Sequence, residues 1–171
     1  MSVQLPMPRR PMKRLPAILA LGVALALGGC GAFRFASPDR PVVVSTAYAS
    51  SGASAISAYR RSRGLSPVKV DASLMQVAEH QARAMARTGE FSHNAGGAFY
   101  GRIRQFGTAH TAAAENLSLG ARSVEEAMSD WKASAEHNKA LLLPKATRIG
   151  LVRADAAGPG GQRYWALVIS D

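Results

Sequence analysis

Residues 115–137, ENLSLGARSVEEAMSDWKASAEH, carry the phrases on which the fold turns. Ser123-Val124-Glu125-Glu126 is a capping box, with a serine at the N-cap and a glutamate at the third helical position, so a helix starts at Val124. Val124, Ala127, Met128, Trp131 and Ala135 then recur at spacings of three and four, which gives that helix one apolar face to bury. Upstream, the short apolar stretch 112–119 around Glu115-Asn116 reads as a strand or an extended segment. One stretch therefore joins an extended segment to a helix, with a carboxylate, Glu115, at one end and an imidazole, His137, at the other.

The same alternation continues outward. Residues 55–63 read as a short helix stopped by Gly64, followed by an extended run over 65–70. Asp71 is a good N-cap for a second helix, in which Leu74, Val77, Ala78, Ala82 and Met85 form the apolar stripe and Gly89 ends it. His93 falls in the loop beyond, before a third helix over 99–106 closed by Gly107. Past Pro144, residues 148–154 and 163–170 predict two strands across Gly158-Pro159-Gly160-Gly161. Three or four helices ending in an antiparallel pair predict an α/β sandwich, and residues 55–171 are long enough for one compact domain burying about two thirds of its unfolded surface.

The N-terminus has a different character. Arg9, Arg10, Lys13 and Arg14 precede a 13-residue apolar run, LPAILALGVALAL, at 15–27. A membrane-spanning helix needs about 20 apolar residues, so the run fits the core of a secretory signal instead. It ends in Leu27-Gly28-Gly29-Cys30, which resembles a lipobox, where small residues precede a cysteine that is acylated and becomes the mature N-terminus. Cys30 is the single cysteine of the chain, and lipidation explains an unpaired thiol in an exported protein. The expected organisation is a lipoprotein signal peptide at 1–29, the lipidated cysteine and a flexible Ala/Ser/Pro-rich tether at 30–54, and the folded domain at 55–171; within the tether, Val42-Val43-Val44 is the alternative reading as a short strand.

The chain has 21 Lys and Arg against 11 Asp and Glu. Four of those bases and none of the acids lie in the leader, so the mature chain nets +6. The positive residues are scattered, as in Arg60-Arg61-x-Arg63, Arg83, Arg87 and Arg104, and form no stripe for nucleic acid. A solvated basic face is expected, compatible with anionic lipid headgroups or acidic wall polymers.

His93, Glu115 and His137 are separated by 22 residues each, beyond helical reach, so only the tertiary fold could assemble them. Around them lie further phrases in a fixed order: Arg63-Gly64-Leu65-x-Pro67, Phe91-Ser92-His93, Gly101-Arg102-Ile103, Glu115-Asn116-Leu117-x-x-Gly120, Trp131-x-x-Ser134-x-x-His137, Arg148-Ile149-Gly150-Leu151 and Tyr164-Trp165. From about residue 56 onward the chain resembles bacterial members of the CAP superfamily. Their SCP-like domain is shared by cysteine-rich secretory proteins, antigen five and plant pathogenesis-related proteins. The resemblance implies a three-layer α-β-α sandwich with a central cleft, in an extracytoplasmic location. It maps His93, Glu115 and His137 onto three members of the family's cleft tetrad of two histidines and two acids. The fourth, acidic member is replaced by Ser134, and Leu167 stands where a glutamine is common, so this cleft is less polar than the family's general form.

Two chemistries are open to a ligand-binding cleft of His93, Glu115, Ser134 and His137. With a divalent metal such as zinc, two imidazoles and a carboxylate leave a position for activated water, which is hydrolase geometry for peptides or wall components. Without metal, Glu115 holds the imidazoles in a polar network that is structural or receives a ligand's polar group. No motif marks Ser92 or Ser134 as an activated nucleophile, so a non-enzymatic envelope domain binding a lipid or wall-derived ligand is the expected function, with the hydrolase as alternative. Oligomeric state is not legible. Arg102 is expected to pair with a carboxylate and pin the loop of His93, His80 to sit exposed on its helix, and Trp131 and Trp165 to belong to the core.

Overall fold

The computed structural model describes residues 40–107, 110–158 and 160–171. The expected signal peptide, the lipobox and Cys30 lie outside the described residues. The chain runs β1 (Val42–Ser45), α1 (Ala49–Arg61), β2 (Lys69–Val70), α2 (Ala72–Thr88), α3 (Phe99–Gln105), β3 (Ala113–Leu119), α4 (Val124–Ala133), α5 (Ala135–Leu141), β4 (Arg148–Ala156) and β5 (Arg163–Ser170). The sheet order is β1-β4-β5-β3, antiparallel throughout, with β2 joining β4 in parallel.

Why three layers form is written in β5. Tyr164, Ala166 and Val168 are buried with the α2 residues Leu74, Val77 and Met85, whereas Trp165, Leu167 and Ile169 are buried with Ile56, Trp131 and Leu141 of α1, α4 and α5. Alternate side chains of a strand face opposite ways, so a strand apolar at both parities must be covered on both faces. The architecture is therefore the three-layer α-β-α sandwich, with α2 and α3 on one face and α1, α4 and α5 on the other.

Local signals hold where the physics is local. The Asp71 carboxylate accepts the Leu74 N–H at 2.9 Å, and Gly89 ends α2 with φ 76°, a left-handed cap that glycine adopts without strain. Ser123 accepts from the Glu126 N–H at 3.3 Å. The return half of the capping box is displaced by one residue, since Glu126 accepts the N–H of Arg122, not that of Ser123. That bond and the Arg122 side chain hold the Glu126 carboxyl below its usual range.

Within the region expected as tether, the alternative of a strand at the three valines is the one realised, and the first helix starts early. Val42–Ser45 pairs with Arg153–Ala156 of β4, and α1 begins at Ala49 instead of residue 55. The three valines are β-formers whose partner lies more than 100 residues away, so nothing local announces the pairing. In α1 the small residues permit close approach: a Cβ on Gly52 would fall 2.2 Å from a methyl of Leu151. Composition alone makes such an Ala/Ser/Gly segment look unable to fold.

A tighter approach is at Gly150 of β4, where an added Cβ would lie 2.2 Å from the Leu74 carbonyl carbon and 2.5 Å from the Met75 nitrogen. Backbone cannot swing aside as a side-chain tip can. Gly150→Ala is expected to cost about 1–3 kcal/mol by forcing α2 off the sheet, read as a shift of the urea midpoint. An unchanged midpoint would mean that the helix start is not seated on β4.

The end of β5 is clamped to the start of β3. The Asp171 carboxylate accepts from the Thr111 hydroxyl and from the Thr111 and Ala112 N–H groups at 2.9 and 3.1 Å. The Thr111 hydroxyl, then the two N–H groups, hold the Asp171 pKa well below the ordinary carboxylate range. A folded pKa below the unfolded one stabilises above the unfolded value of about 3.9, and that stabilisation is lost as pH falls through the depressed folded pKa. Asp171→Asn should therefore flatten the acid limb of stability below about pH 4. An acid limb identical in both proteins would assign no role to the clamp.

Candidate functional site

Glu115 lies in the middle of β3, opposite Val168, so its side chain points to the α2–α3 face. There it meets Arg102 of α3, whose guanidinium makes a fork: Nη1 to Oε2 at 2.7 Å and Nη2 to Oε1 at 3.0 Å. Both side chains are buried, at 1% and 2% exposure. The same guanidinium donates to the carbonyls of His93 at 2.9 Å and Gly97 at 3.0 Å. The expected role of Arg102 as a pin for the His93 loop is thus realised in four bonds.

The loop is fixed from α2 as well. Gln81, fully buried in the apolar stripe, donates to the Ser92 carbonyl at 2.6 Å and accepts from the Gly96 N–H at 3.0 Å. His80 does not stand free on its helix: its Nε2 donates to the Gly96 carbonyl at 3.0 Å, and its ring meets the edge of Phe106. A Cβ at Gly96 would come within 2.9 Å of both Gln81 and His80, so glycine is what lets the loop lie down on the two side chains. Gln81 is the residue that sequence reasoning missed. A glutamine interrupting the stripe Leu74, Val77, Ala78, Ala82, Met85 was the available signal, because a buried amide must find partners.

So held, His93 places Nδ1 2.8 Å from Glu115 Oε1, with its side chain 54% exposed. A carboxylate only accepts, so Nδ1 carries the proton and Nε2 is left to accept from a ligand, or to donate once the ring is protonated. Arg102 neutralises the charge of Glu115, and the carboxylate in turn fixes the tautomer and aim of the imidazole. Chemically this is an oriented donor–acceptor in contact with solvent.

Among the described residues, neither His137 nor Ser134 is hydrogen-bonded to that pair. Asn116, the neighbour of Glu115, lies opposite Leu167 and so faces the other side of the sheet. Its Nδ2 donates to the His137 backbone carbonyl at 2.9 Å, which sets α5 against the opposite face of the same edge strand. The His137 ring makes no hydrogen bond to the described residues. Ser134 is the hinge between α4 and α5, with extended backbone at φ −94° and ψ 125°. Glu136 is exposed and bound to Lys139 at 2.6 Å, so it does not replace the absent acid. Ser92 Oγ accepts the Asn94 N–H at 3.0 Å, a turn-forming role.

Among the described residues, no three His, Cys, Asp or Glu side chains are gathered as a metal-holding group. Glu115 has both oxygens engaged by Arg102, one shared with His93, and the strand parity sends Asn116 rather than Glu115 towards His137. The arrangement therefore does not fit the zinc set of His93, Glu115 and His137. Three surface concavities are lined by other residues, one of about 280 Å³ by Gln76, Glu79, His80, Arg83 and Phe106.

Comparison with known proteins agrees with this architecture. An uncharacterized protein of Bacillus subtilis, YkwD, is 29% identical over 109 residues, which cover 63% of this chain and 42% of that protein. Among solved structures, an outer surface protein of Borrelia burgdorferi superposes with a TM-score of 0.66 at 19% identity, covering 77% of this chain and 98% of the other. An extracellular protein containing an SCP domain from Bacillus anthracis gives a TM-score of 0.62 at 19% identity, covering 71% of this chain and 39% of that one. A cysteine-rich secretory protein from Staphylococcus aureus gives 0.57 at 20%, covering 71% and 37%. The chain thus spans less than half the length of several relatives. No helix among the described residues is long and apolar enough to cross a membrane. The family model for the CAP, cysteine-rich secretory protein family, matches residues 53–169, and this chain belongs to that family.

Proposed function

We propose that this protein is an exported, membrane-anchored CAP-domain lipoprotein that binds a lipid or wall-derived ligand in the cell envelope without catalysing its turnover. One observation carries the reading: an exposed imidazole, His93, is aimed by a buried carboxylate whose charge Arg102 already balances. Such a group recognises a hydroxyl or a phosphate, and among the described residues no second base or activated nucleophile is bonded to it. The basic balance of the mature chain suits an anionic ligand. The relatives' descriptions as outer surface, secretory and extracellular proteins support export, and Cys30 is the proposed acylation site.

The test uses the full chain carrying Cys30→Ala, so that no acyl chain confounds binding. It is titrated with phosphatidylglycerol vesicles, phosphatidylcholine vesicles and soluble muropeptides. Saturable binding to one probe is expected, reduced at least about tenfold by His93→Ala, while the thermal midpoint stays within a few degrees because the ring is exposed. Binding to none of them, or binding indifferent to His93, would sink the reading. A stoichiometric zinc lost in both His93→Ala and His137→Ala would instead establish the hydrolase alternative as the better one. Anchoring is checked by labelled palmitate, which the wild-type chain should incorporate and Cys30→Ala should not.

A further inference from the structure

The outer edge of β3 has no strand partner among the described residues. Its peptide groups can be sorted by direction. Gly120 N–H donates to the Arg163 carbonyl at 2.8 Å, and Asp171 N–H donates to the Ala112 carbonyl at 3.3 Å. Even-numbered residues therefore bond to β5, and the N–H and C=O groups of Ala113, Glu115, Leu117 and Leu119 point away from it. The Leu117 carbonyl is taken by the Trp131 indole N–H at 2.8 Å. Among the described residues Ala113, Glu115 and Leu119 remain open, and of these Ala113 and Glu115 are neighbours along the edge. Glu115 is partly exposed although its side chain is only 2% exposed, so its exposed surface is main chain.

Natural sheets blunt such edges with proline, lysine or a bulge. The β3 sequence AAENLSL has neither residue, and its register with β5 is unbroken from Ala113 to Leu119. The open segment also has neighbours on both faces. The His93 loop flanks it on one face, the His137 backbone on the other, and Trp131 closes the Leu117 end. An edge flanked in this way admits one extended chain more readily than the sheet of a second folded copy.

We infer that the edge of β3 at Ala113 and Glu115 docks an extended peptide as an added strand. This deepens the binding reading above, on which it rests, by naming a ligand class for the same site. Two open residues offer two donors and two acceptors, enough to fix register. The peptide residue opposite Glu115 sets its side chain beside His93, whose Nε2 meets a hydroxyl or carboxyl group there.

A random heptapeptide phage library panned on the full chain carrying Cys30→Ala supplies the probe, and an enriched peptide is synthesised with N-methyl groups at odd or at even positions. A strand ladder has a period of two, so one set should lose affinity about tenfold or more and the other almost none. Amide resonances of Ala113 and Glu115 should shift on binding. Ala113→Pro removes an outward N–H without touching the β5 ladder, and should weaken the peptide about tenfold with an unchanged fold. Equal loss from both methylated sets, no enriched peptide, or protection of those amides only through concentration-dependent self-association would overturn the inference. Failure of the peptides while vesicles or muropeptides still bind would overturn it and leave the binding reading standing; failure of all probes would remove both.

Discussion

Arg102→Ala is expected to lower the unfolding free energy by about 3–5 kcal/mol, because it leaves the Glu115 carboxylate buried without a counter-charge. Arg102 and Glu115 are 1% and 2% exposed and share two charge-assisted bonds. The guanidinium also satisfies the His93 and Gly97 carbonyls, so the substitution orphans a loop as well as an acid. Arg102→Lys should recover little of the loss, since one ammonium cannot make a planar fork to the carboxylate and also reach two carbonyls. The pair itself need not be worth that much. Replacing both residues by apolar ones of similar volume, Arg102→Met with Glu115→Leu, should cost less than Arg102→Ala alone, because no charge is stranded. A double-mutant cycle by urea denaturation decides. Arg102→Ala losing under about 1 kcal/mol would mean that water reaches Glu115 and that the carboxylate is not a buried orienting group for His93.

That pair shows how much of the site the sequence could disclose. His93, Arg102 and Glu115 stand in local phrases, and their meeting was legible because the resemblance supplied the tertiary map that spacing cannot. The placement of His137 was not legible from equal intervals of 22 residues, because strand parity decides it: Glu115 and Asn116 point to opposite faces. Helix α2 was readable almost to the residue, since its cap, stripe and terminal glycine all act within one turn. β1 was legible only as an alternative to the tether, since three valines become a strand only when β4 presents an edge. Charge misled in a similar way. The sequence groups Arg60 with Arg61 and Arg63 in a solvated basic face, and a run of arginines gives no sign of which one turns inward. Only the α1 stripe decides: Arg60 lies four residues beyond Ile56 and three beyond Ser57, both buried.

Arg60 is the second place where one substitution should have a large effect. Its side chain is 0% exposed, and no carboxylate among the described residues pairs with it. Its nitrogens donate instead to four carbonyls: Ser66 at 2.8 Å from Nε, Leu141 and Leu143 at 2.9 Å from Nη1, and Ala146 at 2.8 Å from Nη2. Burial lowers its pKa, yet a guanidinium stays charged at any working pH. What holds the cation is a cage of carbonyl dipoles, of which Leu141 ends α5 and contributes the negative end of that short helix. The chain from Leu141 to Ala146 is thereby folded around one side chain before it enters β4. Arg60→Met keeps the bulk and removes every donor. Each carbonyl left unpaired in a dry site costs about 1–3 kcal/mol, and some relief comes as the turn opens to water, so a net loss of about 3–5 kcal/mol is expected. Arg60→Lys should fall between, because three donors on a point charge cannot span four carbonyls in a plane. Hydrogen exchange separates this from a general loss of stability. The amides of Leu143 and Ala146, which close this turn onto Ala140 and Leu143, should exchange faster in Arg60→Met than those of α2. Uniform acceleration across both regions, or a loss under about 1 kcal/mol, would show that the turn stands without its arginine.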